Sequence, residues 1–364
     1  MPDNPDIAFM TQALRLAEHG RYSAHPNPVV GCVIVKDGQV AGEGWHEVAG
    51  QAHAEINALE SAGTAARGST VYVTLEPCSH HGRTPPCAEA LIKAGVATVV
   101  IGLQDPNPDV NGQGIAALEA AGIEVRTDVL RDQVEEQLAG FLSRVRRGRP
   151  LVTLKMACSL DGRIAMSSGE SQWITGPDAR ADVQRLRARS GAIMSGIGTV
   201  LADDPSFTVR DPDLDTHGRQ PLRVVLDAGL RMPLSAEMLV LPGETIVYCC
   251  NDSKRKALVA AGVEVVKVDC TSKFVDARAV LDDLGKRKIN HVLVEAGPGL
   301  AGNLMTNDLV DELVIYQAPH IMGSETMGMF ETPAWTDLSH RRLLEIIDTR
   351  QVGPDTRITA RLKG

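Results

Sequence analysis

No stretch of this 364-residue chain is apolar for long enough to cross a bilayer, and none combines the basic, hydrophobic and cleavage segments of a secretory leader. No membrane partner is expected, and the cytoplasm is the expected address. Base is also in deficit, with 37 Lys and Arg against 46 Asp and Glu and a formal charge of −9. Affinity gained by neutralising many phosphates needs the opposite balance, so no nucleic-acid partner is expected. Basic clusters at 144–149 and 180–189 are local; the first reads as a solvated linker face, and such clusters can hold a single phosphate. The seven cysteines form no disulfide framework. Two are assigned to a metal below, and Cys32, Cys158, Cys249, Cys250 and Cys270 are expected as reduced thiols. Internal repeats and low-complexity tracts are missing. So is a Rossmann fingerprint, because Gly196-Ile197-Gly198 and Gly297-Pro298-Gly299 lack the third glycine.

What the chain does contain is His53-Ala54-Glu55, followed by Pro77-Cys78 and then Cys87. One imidazole and two thiolates make three ligands for Zn²⁺, leaving the fourth tetrahedral position to a water that the metal acidifies. In nucleobase deaminases a nearby Glu that is not a ligand carries the protons, so the pattern suggests a hydrolytic deaminase. The usual second half of such a site is Pro-Cys-x-x-Cys, whereas eight residues, 79–86, part the two cysteines here. His80 and His81 fall in that gap and stay open as competing ligands. His53 precedes a helical run at 54–60, and Cys87 heads another at 88–93, stopped by Gly95. Both ligands are thus expected at helix N-termini, where free amides and the dipole favour thiolate over thiol. Residues two apart on a helix point in different directions, which keeps Glu55 from sharing the ligand role of His53 and lets it face the water. A single His or Cys is more often a core or surface residue; the ordered set at element ends carries the reading.

The length suits two domains better than one core. Ile7, Met10, Leu14 and Ala17 recur at helical intervals, and Gly20 stands where a left-handed C-terminal residue belongs. Runs at 29–35 and 40–45, joined by Lys36-Asp37-Gly38-Gln39, predict a hairpin. Strands at 70–75, 96–103 and 123–127 alternate with helices at 115–121 and 129–145. Arg146-Arg147-Gly148-Arg149-Pro150 then marks a boundary, dividing 1–148 from 149–364. Beyond it, strands are predicted at 151–156, 192–195, 222–226, 245–249, 263–268 and 291–295. Helices are predicted from a Thr175 cap to about 190, at 254–261 and at 275–286, before a strand-rich end at 313–317, 344–347 and 356–362. The fold class is α/β.

Longer motifs carry a family likeness. His25-Pro26-Asn27-Pro28-Val29-Val30-Gly31-Cys32, His53-Ala54-Glu55 and the run from Thr74-Leu75-Glu76-Pro77-Cys78 through His80-His81-Gly82-Arg83 to Cys87 closely resemble the deaminase domain of bacterial bifunctional riboflavin-biosynthesis proteins, where the wide cysteine spacing is normal. Lys155-Met156-Ala157-Cys158-Ser159-Leu160-Asp161-Gly162-Arg163, the stretch from Ser168 to Thr175, Thr199-Val200-Leu201-Ala202-Asp203-Asp204-Pro205 and Val294-Glu295-Ala296-Gly297-Pro298 resemble that family's reductase domain. The resemblance spans nearly the whole chain. It implies a cytidine-deaminase-like α/β/α domain followed by a dihydrofolate-reductase-like α/β domain. A diaminopyrimidinone bearing a phosphoribosylamino group would lose its ring amine as ammonia, and its ribosyl group would be reduced to ribityl by NADPH.

The resemblance also implies site residues. In the deaminase half these are His53, Cys78 and Cys87 on zinc, Glu55 as proton carrier, Asn27 and His46 on the pyrimidine and Arg83 on the phosphate. Without it, Asn27 reads as a turn residue, His46 as a surface histidine and Arg83 as a loop charge. In the reductase half Lys155, Asp203 and Glu295 are the polar candidates near the reacting sugar, and which gives the proton stays open. Ser171, Phe207 and Glu295 are implied for the substrate, with Arg187 and Arg210 as phosphate clamps. A solvated helix face for Arg187 and a loop salt bridge for Arg210 are the plain alternatives. Ala157, Trp173, Thr199 and Asp203 are implied around NADPH, together with Gly297-Pro298-Gly299-Leu300-Ala301-Gly302-Asn303. That loop's glycines can bring amides to a pyrophosphate or simply make a tight turn. Trp173 otherwise reads as a core or interface aromatic.

Two rivals remain: an RNA or nucleoside deaminase with an accessory domain, and a structural zinc protein with a partner-binding C-terminal half. The acidic balance and the matched second half oppose the first. Glu55 beside a three-ligand site opposes the second, because structural zinc normally has four protein ligands. A homo-oligomer is expected, with no interface identified.

Overall fold

Two runs of alternating strands and helices, separated at Arg147/Gly148, build two units, Met1–Arg147 and Gly148–Gly364. The computed structural model describes residues 4–79, 86–108, 110–271 and 274–362.

In the first unit β1 (Gly31–Lys36), β2 (Gln39–Trp45), β3 (Thr70–Leu75), β4 (Thr98–Leu103) and β5 (Glu124–Arg126) form one sheet in the order β2-β1-β3-β4-β5. β1 is antiparallel to both neighbours, while β3, β4 and β5 run parallel. Asp37 and Gly38, both at positive φ, close the expected hairpin. The helices are α1 (Pro5–Ala17), α2 (Ala54–Ala62), α3 (Cys87–Ala94), α4 (Gln113–Ala120), α5 (Arg131–Gln137) and α6 (Ala139–Arg147). Ala58, Leu91 and Leu118 of α2, α3 and α4 pack with Ile34, Val73 and Ile101 on one face. Leu14, Val134, Phe141, Met10 and Ala13 cover the other with α1, α5 and α6, giving three layers. Gly44 lets α2 lie directly on β2, since a Cβ there would stand 2.4 Å from the Ala58 nitrogen and 2.5 Å from the Ala54 carbonyl oxygen.

Two expectations change here. Gly20 is not left-handed; it lies in a 3₁₀ turn, Glu18–Gly20, and a Cβ there would sit 2.3 Å from the His46 carbonyl oxygen. Close approach, not φ, requires that glycine. The long helix at 129–145 is two helices, because Val129 bonds to Ile101 as an extension of the sheet, Leu130 takes φ 58°, and Leu138 leaves helical geometry between α5 and α6.

The second unit contains β6 (Leu151–Ser159), β7 (Arg163–Ala165), α7 (Pro177–Arg189), β8 (Ala192–Gly196), α8 (Ile197–Asp203), β9 (Leu222–Leu226), β10 (Thr245–Cys249), α9 (Arg255–Ala260), β11 (Glu264–Lys267), β12 (Cys270–Thr271), β13 (Phe274–Val275), α10 (Ala277–Lys286), β14 (His291–Glu295), α11 (Pro298–Thr306), β15 (Glu312–Ala318), β16 (Met327–Gly328), β17 (Leu344–Val352) and β18 (Asp355–Leu362). A nine-stranded sheet has the order β11-β10-β9-β8-β14-β6-β15-β18-β17. It is parallel through β15 and antiparallel in its last two strands. Leu154, Met194 and Val294 pack against α10 and α11, and Leu293 and Tyr316 against α7. The α7 cap is Gly176 rather than Thr175, and Val275 belongs to β13, with Asp276 capping α10 through the Arg278 N–H. The all-reduced expectation fails at one pair: Cys250 and Cys270 form a disulfide with Cα atoms 5.7 Å apart. β10 and β11 pair in parallel, so the chain just past each strand's end lies side by side, a proximity that a separation of 20 residues does not reveal.

Candidate active sites

In the first unit the ends of β1, β2 and β3 that meet at one sheet edge carry the chemistry. The Gly31 N–H at the start of β1 donates to Thr74 Oγ1 near the end of β3, and His46 directly follows β2. β3 runs out into Glu76-Pro77-Cys78. His53 is the residue capping α2, and Cys87 is the first residue of α3. Both expected helix N-termini are therefore present.

The ligand atoms of His53, Cys78 and Cys87 lie within 4.8 Å of one another. Both sulfurs converge on His53 Nδ1, Cys78 Sγ at 3.6 Å and Cys87 Sγ at 3.3 Å. Zinc–sulfur and zinc–nitrogen bond lengths at a tetrahedral angle require an S···N edge of about 3.5 Å, so the spacing fits a zinc ion. The charge state fits as well. Hydrogen bonding from Cys87, helped by His53 and the Cys87 backbone N–H, pulls the Cys78 thiol well below its ordinary value against the effect of burial. The same bond to Cys78, together with burial, pushes Cys87 up. The hydrogen bond to Cys78 and burial hold the proton of Cys87 in place, and metal binding, which needs thiolates, would displace it.

Glu55, on the first turn of α2, is buried at 3 % exposure. Burial first, then the Cys78 charge, raises its carboxyl to about 7, where it can both take and give a proton near neutrality. Among the described residues it is not part of the candidate ligand cluster. His46 is buried rather than a surface histidine, and burial is the main cause that lowers its pKa. Its Nδ1 lies 3.0 Å from the Ala52 carbonyl oxygen, which can only accept, so Nδ1 carries the proton. Nε2 then accepts from Asn27 Nδ2 at 3.0 Å, fixing the Asn27 amide with Oδ1 turned away from His46. Arg83, His80 and His81 lie outside the described residues.

In the second unit the candidates gather past the C-terminal ends of parallel strands, where open α/β sheets bind ligands. Lys155 on β6 and Glu295 on β14 are register partners, alternating with buried Leu154 and Val294 so that both face the α7 layer. Arg187, near the end of α7, donates through Nε and Nη2 to the two Glu295 oxygens at 2.6 and 3.0 Å, and through Nη1 to the Thr208 carbonyl at 3.2 Å. Its fork is therefore engaged, neither a solvated helix face nor a free clamp. Burial raises the Glu295 pKa, but the Arg187 charge and hydrogen bonds, with Lys155 beyond them, outweigh it and hold the carboxyl below its ordinary value. Burial lowers the Lys155 pKa more than the Glu295 charge raises it.

The other candidates divide into a cluster and outliers. Thr199 and Asp203 sit one turn apart on α8, a helix absent from the sequence reading, which weighs Gly196-Ile197-Gly198 only as a partial dinucleotide fingerprint. Thr199 Oγ1 accepts from the Gly297 N–H at 3.3 Å, joining α8 to the glycine loop. That loop opens α11, with Gly297 as its cap and Pro298 first in the helix; Gly299, Leu300, Ala301 and Asn303 follow within it. Gly302 has a different duty, since a Cβ there would lie 1.9 Å from the Glu331 carbonyl oxygen. Asp203 is raised by burial and contacts Gln172 beside Trp173. Trp173 is 70 % exposed with the Arg180 guanidinium 4.6 Å over its ring, so it is not a core aromatic. Ala157 shares the Lys155 face of β6, and Ser171 is half-buried. Phe207, at φ 45°, is buried under Arg187, which leaves its backbone rather than its ring for a ligand. Arg210 is exposed, with Nη1 on Ser206 Oγ. Asp227, fully buried just past β9, accepts from the Arg231 and Met232 N–H groups and shapes the turn that follows that strand.

Residues 3–103 match the family model for the cytidine and deoxycytidylate deaminase zinc-binding region, and residues 150–358 match the RibD C-terminal domain. The chain belongs to the RibD family. It is 47 % identical to the riboflavin biosynthesis protein RibD of Escherichia coli (strain K12), over 96 % of this chain and 97 % of that protein. It is 46 % identical to the Haemophilus influenzae RibD over 99 % and 98 %. A solved structure of Acinetobacter baumannii RibD superposes with a TM-score of 0.93 at 44 % identity, covering 99 % of both chains. The Thermotoga maritima deaminase/reductase superposes with a TM-score of 0.88 at 35 % identity, again over 99 % of both. RibD proteins are bifunctional, so this chain is a zinc-dependent deaminase and an NADPH-dependent reductase of riboflavin biosynthesis.

Proposed function

We propose that the first unit deaminates 2,5-diamino-6-(5-phosphoribosylamino)pyrimidin-4-one and that the second reduces the ribosyl group of the resulting 5-amino-6-(5-phosphoribosylamino)uracil. The convergence of two sulfurs on His53 Nδ1, beside a buried Glu55, carries the first assignment. His53, Cys78 and Cys87 hold zinc, which when bound supplies Lewis acidity to solvent. Glu55 takes the proton of the attacking water and returns protons to the ring nitrogen and the leaving amine. A buried carboxyl suits both directions, and its fixed position lowers the entropic cost of each transfer. Asn27 Oδ1, aimed by the His46–Ala52 relay, accepts from an N–H of the pyrimidine. Arg83 remains the candidate for its phosphate.

In the second unit Ala157, Trp173, Thr199, Asp203 and the 297–303 turn hold NADPH, which when bound supplies hydride. The open-chain ribosyl carbon would be the acceptor, with Arg210 on the substrate phosphate and Ser171, Phe207 and Glu295 against the sugar. Arg187 holds Glu295 ionised, which makes Glu295 a poor acid. Lys155, protonated and adjacent, gives the matching proton.

The expected homo-oligomer forms, in this reading, at β17, a nine-residue edge strand with Leu344, Ile346 and Ile347 exposed by 38, 65 and 41 %. A second copy pairing antiparallel along the same edge would continue the sheet about a two-fold axis and cover those side chains.

Three outcomes test these assignments. Glu55→Gln should keep its zinc while ammonia release from the diaminopyrimidinone falls about 100- to 10,000-fold; undiminished release refutes the role. For reduction, kcat/KM should decline as pH rises through a Lys155 pKa lying below the ordinary lysine value, because only the protonated amine donates. Lys155→Met should lose NADPH oxidation and keep ammonia release, and a surviving rate with the same alkaline limb would assign the proton elsewhere. In sedimentation, Ile346→Lys should dissociate an oligomeric parent; an unchanged mass, or a monomeric parent, removes the β17 interface.

A further inference from the structure

Glu76 is a second buried carboxylate beside the deaminase centre, 4 % exposed and two residues before Cys78. All of its visible bonding is to main chain. Oε2 accepts from the Asp105 N–H at 3.1 Å and the Gly112 N–H at 3.0 Å. Oε1 accepts from the Gly114 and Ile115 N–H groups at 3.0 and 3.3 Å. Gly112, the residue capping α4, makes no side-chain cap, so Glu76 supplies from β3 the negative cap that α4 lacks.

Three of these bonds, from Gly112, Gly114 and Ile115, seat the first turn of α4 against the ligand segment, and the fourth ties in Asp105 beyond β4. A Cβ on Gly114 would stand 2.0 Å from the Pro77 carbonyl oxygen, so the helix backbone touches the residue that precedes Cys78. Cys78 passes the constraint on. Its carbonyl accepts from the Ala88 N–H at 3.2 Å, and its sulfur accepts from the Cys87 N–H at 3.4 Å. A shift of 76–78 therefore displaces both sulfurs relative to His53, which is carried separately by α2.

We infer that Glu76 is a positioning residue for the metal centre, locking Cys78, and through it Cys87, at coordinating distance from His53 without touching the reacting atoms. Supporting groups behind a ligand are typically worth about 10- to 100-fold in metal affinity. The inference rests on the reading of His53, Cys78 and Cys87 as zinc ligands.

Glu76→Gln in the full chain is the near-isosteric test. An amide has one acceptor oxygen, so its NH₂ must face one of the two N–H pairs, and two of the four bonds are lost. Zinc should pass to a chromophoric chelator about 10- to 100-fold faster, and the thiolate-to-metal band of the cobalt-loaded protein should shift. NADPH-dependent reduction, carried by the other unit, should be unchanged. Gly114→Ala perturbs the same contact from the α4 side and should give the same two signatures. Val35→Ala, a core change at the end of β1 that pairs with Thr70, the opposite end of β3 from Glu76, supplies a control for lost stability and should leave zinc release and the cobalt band as in the parent. Parental zinc release and an unshifted band in Glu76→Gln overturn the inference, as does equally fast release in Val35→Ala at matched thermal stability. A parent that takes up no zinc overturns the ligand reading instead.

Discussion

Two sulfurs and one imidazole nitrogen are brought to a common point by three separate elements, and much of the first unit's architecture serves that meeting. α2 delivers His53 and Glu55 together, and it can lie against β2 because Gly42 and Gly44 present no side chain to it. β3 delivers Cys78, and α3 delivers Cys87 with its N–H turned on the Cys78 sulfur. Without a cation the thiols share a proton; with one, both can ionise. The spacing of the three ligand atoms, and not the charge, is what fits a zinc ion there.

The second unit meets a related electrostatic problem with side chains alone. Lys155 and Glu295 stand side by side on adjacent parallel strands, and Arg187 closes on the carboxylate from α7. A buried carboxylate with a bidentate guanidinium stays ionised, while a buried amine beside it is biased toward losing its proton. The arrangement separates the roles of two groups that look interchangeable in the sequence. Arg187, which resemblance alone assigns to a phosphate, has its guanidinium engaged by Glu295 and the Thr208 carbonyl.

Much of this was legible in the sequence because periodicity and end signals agreed. The strand at 70–75, the hairpin around Asp37-Gly38, the ligand helices and the left-handed Gly95 all follow from local rules. Where the reading erred, distant contacts decided the outcome. Gly20 answers to the His46 carbonyl, and Cys250 meets Cys270 only because β10 and β11 pair. Leu138 breaks one apolar stripe into two helices whose residues Val134, Phe141 and Leu142 still share a cluster with Leu14, Leu75 and Leu103. Likewise no local signal shows that His46 is buried and wired to Asn27, or that Glu76 is spent on four distant amides.

The number and identity of the atoms around the metal test this account most directly. X-ray absorption at the zinc edge of the purified chain should show two sulfurs at about 2.3 Å, one imidazole nitrogen near 2.0 Å, and one further light atom that exchanges with solvent or substrate. A third sulfur, a second imidazole closing the sphere, or no zinc at all would contradict it.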